Sequence, residues 1–461
     1  MLLVQTLAPP LTPILAAAST EQANALDFPI QTHLLFIGVL FLGTLTISRF
    51  SPKIGIPAIL GVLLLGLSIN VSSLNITQAQ AANFQLLGLA LLLFYAGLKT
   101  DLAAIRGFLE YGIILAIGGV VVSSLLLGGV IWFLASPGAS SLTLGGVEAI
   151  PIGAAMLIAA CLGSTDAGAT LSVLRSVRRQ VPLRLQHLLE FESSVNDPSA
   201  LLFYGLVVGI CVSAGATAGP SSLESTVLTQ IRLFLQQIGA GLVVGFVFGY
   251  LARFVVNWLV EERSQLLVVA MSVAFVVYGA ATLLGGSGFI AIYVTGLFLT
   301  NTIYRSPEIN HITIQEVLLP FNTMTEITIF LVFGLLVYPP DLIDALPIGV
   351  LASLGLMLVA RPISVLMFQP FSPFSFKESL LVSWCGLRGA VPLALAHDLS
   401  LAIPRIRGIN PAIVDELSQN AESIIFIVVV VNLFVQGISL PHLARALGLV
   451  PNPAAKTSMI P

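Results

Sequence analysis

The sequence predicts an all-α protein that crosses a membrane many times. Of its 461 residues, 57% are hydrophobic and 9% are charged, whereas a soluble globular protein carries about 25% charged residues. The apolar residues form repeated runs of helix length, which speaks against a β-barrel built from alternating segments of about 10 residues. Cys161, Cys211 and Cys385 lie in apolar runs without metal-ligand spacing, so we expect no disulfide, no thiolate zinc site and no cofactor.

Hydropathy predicts about thirteen membrane helices. They follow a Pro/Ala/Thr-rich segment, residues 1–29, which lacks the basic region of a signal peptide. They precede a short tail, residues 448–461, in which no regulatory domain is expected. The predicted segments are 30–48, 56–72, 82–98, 111–135, 151–175, 187–213, 228–256, 265–284, 288–304, 318–337, 342–369, 378–397 and 421–447.

The basic residues predict how the chain is oriented, because short cytoplasmic loops are rich in Lys and Arg. Of 19 such residues, 14 follow odd-numbered segments, which predicts the N-terminus outside and the C-terminus inside. We expect the protein in the lipid bilayer of a cell (inner) membrane. The 14 residues are Arg49, Lys53, Lys99, Arg106, Arg175, Arg178, Arg179, Arg184, Arg253, Arg263, Arg305, Lys377, Arg445 and Lys456.

Two segments are interrupted by small and polar residues. The fifth contains GSTDAG at 163–168, and the twelfth contains CGLRGAVP at 385–392. Such interruptions at corresponding places of two halves indicate broken helices whose free carbonyl and amide groups surround an ion site at mid-membrane. The two segments are seven apart, as expected for two inverted six-helix repeats, residues 30–213 and 265–447.

The seventh segment, residues 228–256, would join these repeats. Its Gly241, Gly245 and Gly249 recur at small-xxx-small spacing. The spacing fits a linker helix between two halves, and it equally fits close packing against another helix.

The sixth segment is unusually polar for a membrane helix, and ionisable groups at bilayer depth are costly and mark ion paths or proton relays. Ser193 and Asp197 lie four residues apart on one face, and Glu192 and Asn196 form a neighbouring pair. Asp197, Ser193 and the interrupted chain at Thr165 can supply carboxylate, hydroxyl and carbonyl oxygens to a sodium-like cation. Because a low-dielectric cavity favours the neutral carboxyl group, the sequence predicts that protons and a monovalent cation compete for Asp197.

Other charged residues within segments have alternative interpretations. Glu192 and Asp197 can instead serve only to neutralise membrane-embedded arginines. Arg361 requires a partner at its depth, and Glu192 is the residue we expect there. Arg388, flanked by glycines, either binds a carbonyl or carboxylate at the helix break or has a purely structural role. Glu326 either contributes to a funnel or caps a polar contact between helices, and the sequence does not rank the two.

Three histidines lie near the ends of predicted segments. A solvated side chain is the default expectation for His187, His311 and His397. His187, beside the basic loop before the sixth segment, is also a candidate pH sensor.

At these residues the chain resembles the monovalent cation:proton antiporter-1 family, which includes NhaP and the sodium/proton exchangers. The resemblance runs from about residue 33 to 448 and depends on five motifs in order. These are GSTDAGATLSVL at 163–174, ESSVNDPSALL at 192–202, VARPISV at 359–365, GLRGAVPLALA at 386–396 and VVVVNLFVQGISLPHLARALGL at 428–449.

The resemblance implies an NhaA-like antiporter fold and a homodimer in which a mobile core domain moves against a dimerisation domain. It implies that Asp197 binds cation and proton in turn, next to Asn196, in an Asn–Asp pair that indicates electroneutral exchange. The remaining implied roles are site completion by Ser193 and Thr165, support of the unwound crossing by Asp166, and a structural ion pair between Glu192 and Arg361.

The chain departs from this family at Tyr95, where an acidic residue is usual, which puts cation preference in doubt. Pro198, after the Asn–Asp pair, is more similar to the potassium/proton branch. Two other functions stay open: a cation channel or uniporter, in which Asp197 is a selectivity element, and a non-transporting membrane sensor. No nucleophile–base pair or metal-ligand set indicates an enzyme, and neither composition nor motif indicates a nucleic-acid partner.

Overall fold

The computed structural model describes residues 30–54, 57–69, 78–135, 150–175, 181–214, 220–305, 311–337, 339–406 and 414–449. Within these ranges the regular secondary structure is helical and includes no strand. The N-terminal segment 1–29 and all but the start of the tail lie outside the described residues, as do four of the 19 Lys and Arg residues. These four are Arg178, Arg179, Arg407 and Lys456.

The helices of the described ranges are numbered here in chain order. They are α1 (Ile30–Ile54), α2 (Ala58–Leu67), α3 (Gln78–Lys99), α4 (Leu109–Leu134), α5 (Ile152–Cys161), α6 (Ala167–Arg175), α7 (Leu183–Ala214), α8 (Pro220–Leu259), α9 (Arg263–Leu283), α10 (Gly288–Thr300), α11 (His311–Leu336), α12 (Pro339–Gly355), α13 (Arg361–Leu366), α14 (Phe376–Trp384), α15 (Ala390–Ala402) and α16 (Val414–Ala446). A one-turn helix, Leu102–Ile105, precedes α4.

Seven helical stretches of the described chain are long and apolar enough to cross a bilayer, which makes this an integral, multi-pass membrane protein. They lie in α4, α7, α8, α9, α11, the continuous run from α12 through α13, and α16. Parts of α1 and α3, together with α2, α5 and α10, are apolar but shorter. The number of thirteen crossings stays a prediction.

Both interruptions expected from the sequence are present. Helix α5 ends at Cys161 and α6 begins at Ala167, while α14 ends at Trp384 and α15 begins at Ala390. A third irregularity was not expected: one π-helical turn, Leu356–Ala360, joins α12 to α13. Such turns are rare and often lie at functional sites, and this one directly precedes the buried Arg361.

The buried apolar side chains form two main clusters. The larger is built largely from α4 to α7 and α12 to α16, with contributions from α2 and α11. The smaller joins α3, α8, α9 and α10 to the beginning of α11. Helices α3, α7, α11 and α15 also line the space between elements of the two clusters, and Thr165, Asp166, Ser193, Asp197 and Glu326 lie there.

Gly241, Gly245 and Gly249 of α8 face α10. A Cβ added to Gly245 would lie 2.7 Å from the Cβ of Val294, and one added to Gly249 would lie 2.8 Å from the Cβ of Phe298. A Cβ on Gly241 would lie 2.9 Å from the main-chain oxygen of Ser287. Close helix packing therefore accounts for the small-xxx-small spacing.

Candidate functional site

The two interrupted helices cross and are joined through their unwound segments. The main-chain N–H of Asp166 donates a hydrogen bond to the Leu387 carbonyl at 2.7 Å. In return, Nη1 of Arg388 donates to the Ser164 carbonyl at 2.5 Å. Arg388 is fully buried, so it places a positive charge beside carbonyl groups that the helix break leaves without helical partners. The two breaks therefore form one connected unit.

Asp166 lies where two helices begin. Its Oδ1 accepts from the Ala169 N–H at 3.0 Å and so caps α6. Its Oδ2 approaches the start of α15, because a Cβ added to Gly389 would lie only 2.8 Å from that oxygen. Helix N-termini carry partial positive charge, so this location favours a carboxylate. Glycine is required at 389 for the two segments to approach so closely.

Helix α7 holds the first unwound segment through side-chain hydrogen bonds to Thr165 and its neighbours. Ser193 Oγ donates to the Thr165 carbonyl at 2.7 Å and accepts from the Ala167 N–H at 3.0 Å. Asn196 Nδ2 donates to Thr165 Oγ1 at 2.5 Å, and Asn196 Oδ1 accepts from the Thr165 N–H at 3.3 Å. These contacts satisfy main-chain groups that have no helical partner. Ser193, Asn196 and Thr165 thus hold one another in place beside Asp197.

Asp197 is half-buried and contacts the same unwound segment, with Ser164 Oγ donating to its Oδ1. No Lys or Arg of the described chain forms an ion pair with Asp197. Ser164 is a site residue that was not predicted from the sequence, although the interruption at 163–168 that contains it was. The directions of side chains in an unwound segment follow from backbone angles that a helical periodicity does not give.

Glu192 and Arg361 meet in the interior, and both are nearly inaccessible, at 2% and 3% exposure. Arg361 Nη1 lies 3.0 Å from Glu192 Oε1, which also accepts from Asn196 Nδ2 at 3.0 Å. The other carboxylate oxygen, Oε2, accepts from Thr165 Oγ1 at 3.3 Å. The ion pair therefore connects α7 to α13 and is hydrogen-bonded to the same Thr165 and Asn196 that hold the unwound segment.

An open cavity of about 240 Å³, here named the first cavity, reaches Asp197. Asp166 and Glu326 also line it, as does Tyr95 from α3. At its mouth, Lys99 Nζ lies 3.9 Å from Glu190 Oε1, and these two side chains are 41% and 26% exposed. The remaining polar lining residues are Ser164, Thr165, Ser193, Ser194, Asn322 and Thr323.

A second cavity, of about 480 Å³, opens elsewhere along the same helices, α3, α7 and α15. Its polar lining includes Tyr204, His397 and Asp398, and it shares no lining residue with the first cavity. His397 corrects one expectation: it is buried, 5% exposed, with Nδ1 3.6 Å from Glu422 Oε1, rather than solvated at a membrane edge.

The two cavities follow one another along the helix axes. On α7 the lining changes from Asp197, in the first cavity, to Leu201, in the second. On α3 it changes between Leu92 and Leu89, and on α15 between Val391 and Ala394. These steps of three or four residues correspond to about one helical turn, so one turn of packed side chains separates the cavities.

A polytopic helical membrane protein with two crossed, interrupted helices, a carboxylate at the crossing and a cavity on either side of it belongs to the class of secondary transporters. A sequence-family model described as "Sodium/hydrogen exchanger, transmembrane" matches residues 37–446. This match covers most of the chain, and the protein therefore belongs to the sodium/hydrogen exchanger family.

The chain is also similar to curated proteins that are named as cation/proton antiporters. The chain is 31% identical over 421 residues to the K(+)/H(+) antiporter NhaP2 of Shewanella sp. (strain ANA-3), covering 90% of this chain and 67% of the relative. It is 32% identical over 441 residues to the K(+)/H(+) antiporter NhaP of Alkalimonas amylolytica, covering 94% and 70%. It is 27% identical over 417 residues to the Na(+)/H(+) antiporter NhaS2 of Synechocystis sp. (strain ATCC 27184 / PCC 6803 / Kazusa), covering 87% and 68%. The chain thus spans about two thirds of the length of these relatives.

The fold also matches a solved structure. The sodium proton antiporter MjNhaP1 from Methanocaldococcus jannaschii, determined at pH 8, superimposes with a TM-score of 0.72. The match covers 91% of this chain and 99% of the other at 20% sequence identity, so it shows that the two share a fold.

Proposed function

We propose that this protein exchanges a monovalent cation, sodium or potassium, for protons by alternating access, with Asp197 as the exchanging carboxylate. One observation carries the proposal: Asp197 lines an open cavity, and no Lys or Arg of the described chain is ion-paired with it. An unpaired carboxylate that a cavity connects to solvent can take up either a proton or a metal ion. Its hydroxyl partner, Ser164, can remain an oxygen ligand when the proton leaves.

The separation of the two cavities supports exchange rather than a channel. A channel or uniporter needs a path past Asp197 that opens to both sides at once, whereas here one turn of packed residues separates the cavities. Access from only one side at a time is what couples the movement of two ions. The conformation described has Asp197 accessible from the first cavity alone.

The geometry is compatible with the other site residues that the sequence indicates. Asn196 is an amide whose groups bond to Thr165 and Glu192, which leaves one acid in the Asn–Asp pair and supports electroneutral, one-for-one exchange. Glu192 and Arg361 would have the structural role of joining α7 to α13.

We also infer the orientation and the assembly. The excess of Lys and Arg after odd-numbered segments favours the N-terminus outside a cell (inner) membrane and the C-terminus inside, and Lys99 then places the mouth of the first cavity on the cytoplasmic side. The resemblance to the antiporter family supports a homodimer in which a mobile core domain moves against a dimerisation domain. We infer that each chain contains two repeats, 30–213 and 265–447, joined by the linker helix 228–256.

The decisive experiment replaces Asp197 with Asn and measures cation-dependent pH recovery in inverted membrane vesicles. We expect exchange with both sodium and potassium to be lost, because the amide can neither release a proton nor neutralise a cation. Ser199→Ala is a matched control, because Ser199 lies two residues away and, among the described residues, its hydroxyl hydrogen-bonds to the Val195 carbonyl of its own helix. Thermal unfolding of purified protein would show that Asp197→Asn is folded.

Exchange that survives Asp197→Asn would remove this carboxylate from the mechanism. Flux that runs without a proton gradient and shows no coupling would favour the channel. A protein that shows neither flux nor a cation-dependent thermal shift would instead be a non-transporting sensor.

A further inference from the structure

A third space, here named the apolar groove, lies between helices of the two apolar clusters and has a volume of about 480 Å³. Its walls are residues within 109–121 of α4 and 191–203 of α7 on one side, and within 234–246 of α8 and 290–297 of α10 on the other. Helices α4 and α7 belong to the larger cluster, and α8 and α10 belong to the smaller one. The groove therefore separates the two clusters along part of their boundary, and it shares no lining residue with the first cavity.

The lining of the groove offers no charge and no free hydrogen-bonding side chain among the described residues. Its polar side chains are those of Ser199 and Tyr293. Ser199 Oγ donates to the Val195 carbonyl at 2.7 Å, and the Tyr293 hydroxyl is hydrogen-bonded to Thr100 Oγ1 at 3.3 Å. Because a buried water needs two to four polar partners, these walls suit a hydrocarbon ligand and not water or a polar molecule.

The groove lies at the depth of the bilayer and opens towards it. Helices α4, α7 and α8 are each long and apolar enough to cross a membrane. Ile117 of α4 and Phe246 of α8, which both line the groove, are 49% and 56% exposed. Since exposed apolar side chains of membrane-crossing helices face lipid, the groove is continuous with the hydrocarbon of the bilayer.

The length of the groove matches one lipid tail. Its first and last lining positions on α7, 191 and 203, are twelve residues apart, as are 234 and 246 on α8. At a rise of 1.5 Å per residue this is about 18 Å, and the hydrocarbon of one leaflet is about 15 Å thick, half that of the bilayer. Walls that face an unfilled space lose dispersion contacts, and a single tail from the adjoining leaflet would restore them.

We propose that the acyl chain of a membrane lipid binds in the apolar groove, against the face of α7 opposite to Asp197. Val195 and Ser199 line the groove, whereas Ser193 and Asp197 line the first cavity. The two pairs are offset by two residues, which on an α-helix is a rotation of about 200°. A shift of α7 along α8 and α10 would thus meet a fluid tail at this surface and not interdigitated side chains. The binding of the tail does not depend on the proposed exchange function.

The test measures the quenching of tryptophan fluorescence by lipids that are brominated in mid-chain, since bromine quenches a ring that the tail contacts. Trp132, Trp258 and Trp384 are first replaced by Phe, and a single tryptophan is then introduced. Phe191→Trp places it in the wall of the groove, at a position that is only 5% exposed. The purified protein is reconstituted in phosphatidylcholine vesicles with and without bromine. We expect Phe191→Trp to lose fluorescence in the brominated vesicles.

Two matched Phe→Trp controls define the limits of this loss. Phe434 lies on α16, is 48% exposed and lines neither cavity nor the groove, so bulk lipid should quench Phe434→Trp. Phe330 is fully buried, and Phe330→Trp should not be quenched. We expect the loss for Phe191→Trp to be comparable to that for Phe434→Trp. Adding Ser199→Leu to Phe191→Trp should reduce the loss, because the larger side chain fills part of the groove.

Three results would overturn the proposal. If Phe191→Trp is as insensitive to bromine as Phe330→Trp, no tail enters the groove. If its quenching appears only when the protein is diluted in lipid, a second copy of the chain covers the groove. If Ser199→Leu leaves the quenching unchanged, the lipid contacts the probe from outside the groove. Should Phe191→Trp fold poorly, Phe203→Trp at the other end of the same wall provides a second probe.

Discussion

The buried ion pair between Glu192 and Arg361 leads to the largest stability change that we expect from a single substitution. Glu192 accepts hydrogen bonds from Arg361, Asn196 and Thr165 at 3.0, 3.0 and 3.3 Å. In Glu192→Gln the side chain keeps its shape and one acceptor oxygen but loses its charge. Arg361, which is 3% exposed, is then left without a counter-charge.

The expected loss in the free energy of unfolding follows from this geometry. Breaking a buried ion pair by removing one partner costs about 3–5 kcal/mol, and the acceptor that Gln retains places Glu192→Gln near the lower limit. Arg361→Met should cost a similar amount, since it leaves the Glu192 carboxylate buried without its cation. The double variant removes both charges, so its cost should be smaller than the sum of the single costs by at least about 2 kcal/mol.

The assay is the free energy of unfolding of purified protein in mixed micelles, measured for the two single variants and the double variant. Glu190→Gln is the matched control. Glu190 lies on the same helix, two residues before Glu192, and its carboxylate is 3.9 Å from Lys99 Nζ in a partly exposed pair. Such exposed pairs contribute about 0–1 kcal/mol. The reasoning is refuted if Glu192→Gln costs no more than Glu190→Gln, or if the two single costs simply add.

Two further predictions concern the crossing and the cavities. Gly389→Ala should abolish exchange in folded protein, because its Cβ would lie 2.8 Å from Asp166 Oδ2; Gly129→Ala, where a Cβ would meet nothing within 4 Å, should leave vesicle transport unchanged. In a background without the native cysteines, a membrane-impermeant thiol reagent should label Ala96→Cys only from the cytoplasmic side and Leu86→Cys only from the opposite side, since they line the first and second cavities. Labelling of both residues from one side would contradict the proposed sidedness.

The helical class and the two interruptions could be predicted from the sequence because they depend on local composition. Long apolar runs predict membrane helices, and GSTDAG and CGLRGAVP mark the breaks that the structure shows. The expectation that Arg361 requires Glu192 rests on the cost of an isolated charge in the membrane, and the structure places the two side chains 3.0 Å apart. These features follow from local sequence or from one strong energetic term.

Features that depend on tertiary contacts could not be predicted in this way. The contact of Ser164 with Asp197 requires a particular backbone conformation in the unwound segment, which the main-chain hydrogen bond from Asp166 to Leu387 helps to fix. No composition signal marks the π-helical turn before Arg361. The burial of His397 depends on the distant α16, where Glu422 lies.

The succession of the two cavities along α3, α7 and α15 has a consequence for energy conservation. One helical turn, a rise of about 5.4 Å, separates the lining of one vestibule from that of the other. A slide of that length by α7, which carries Asp197, would move the bound ion from one vestibule to the other without a continuous water column forming. Protons could then cross only as cargo, and a membrane that contains many copies of this protein would keep its electrochemical gradient.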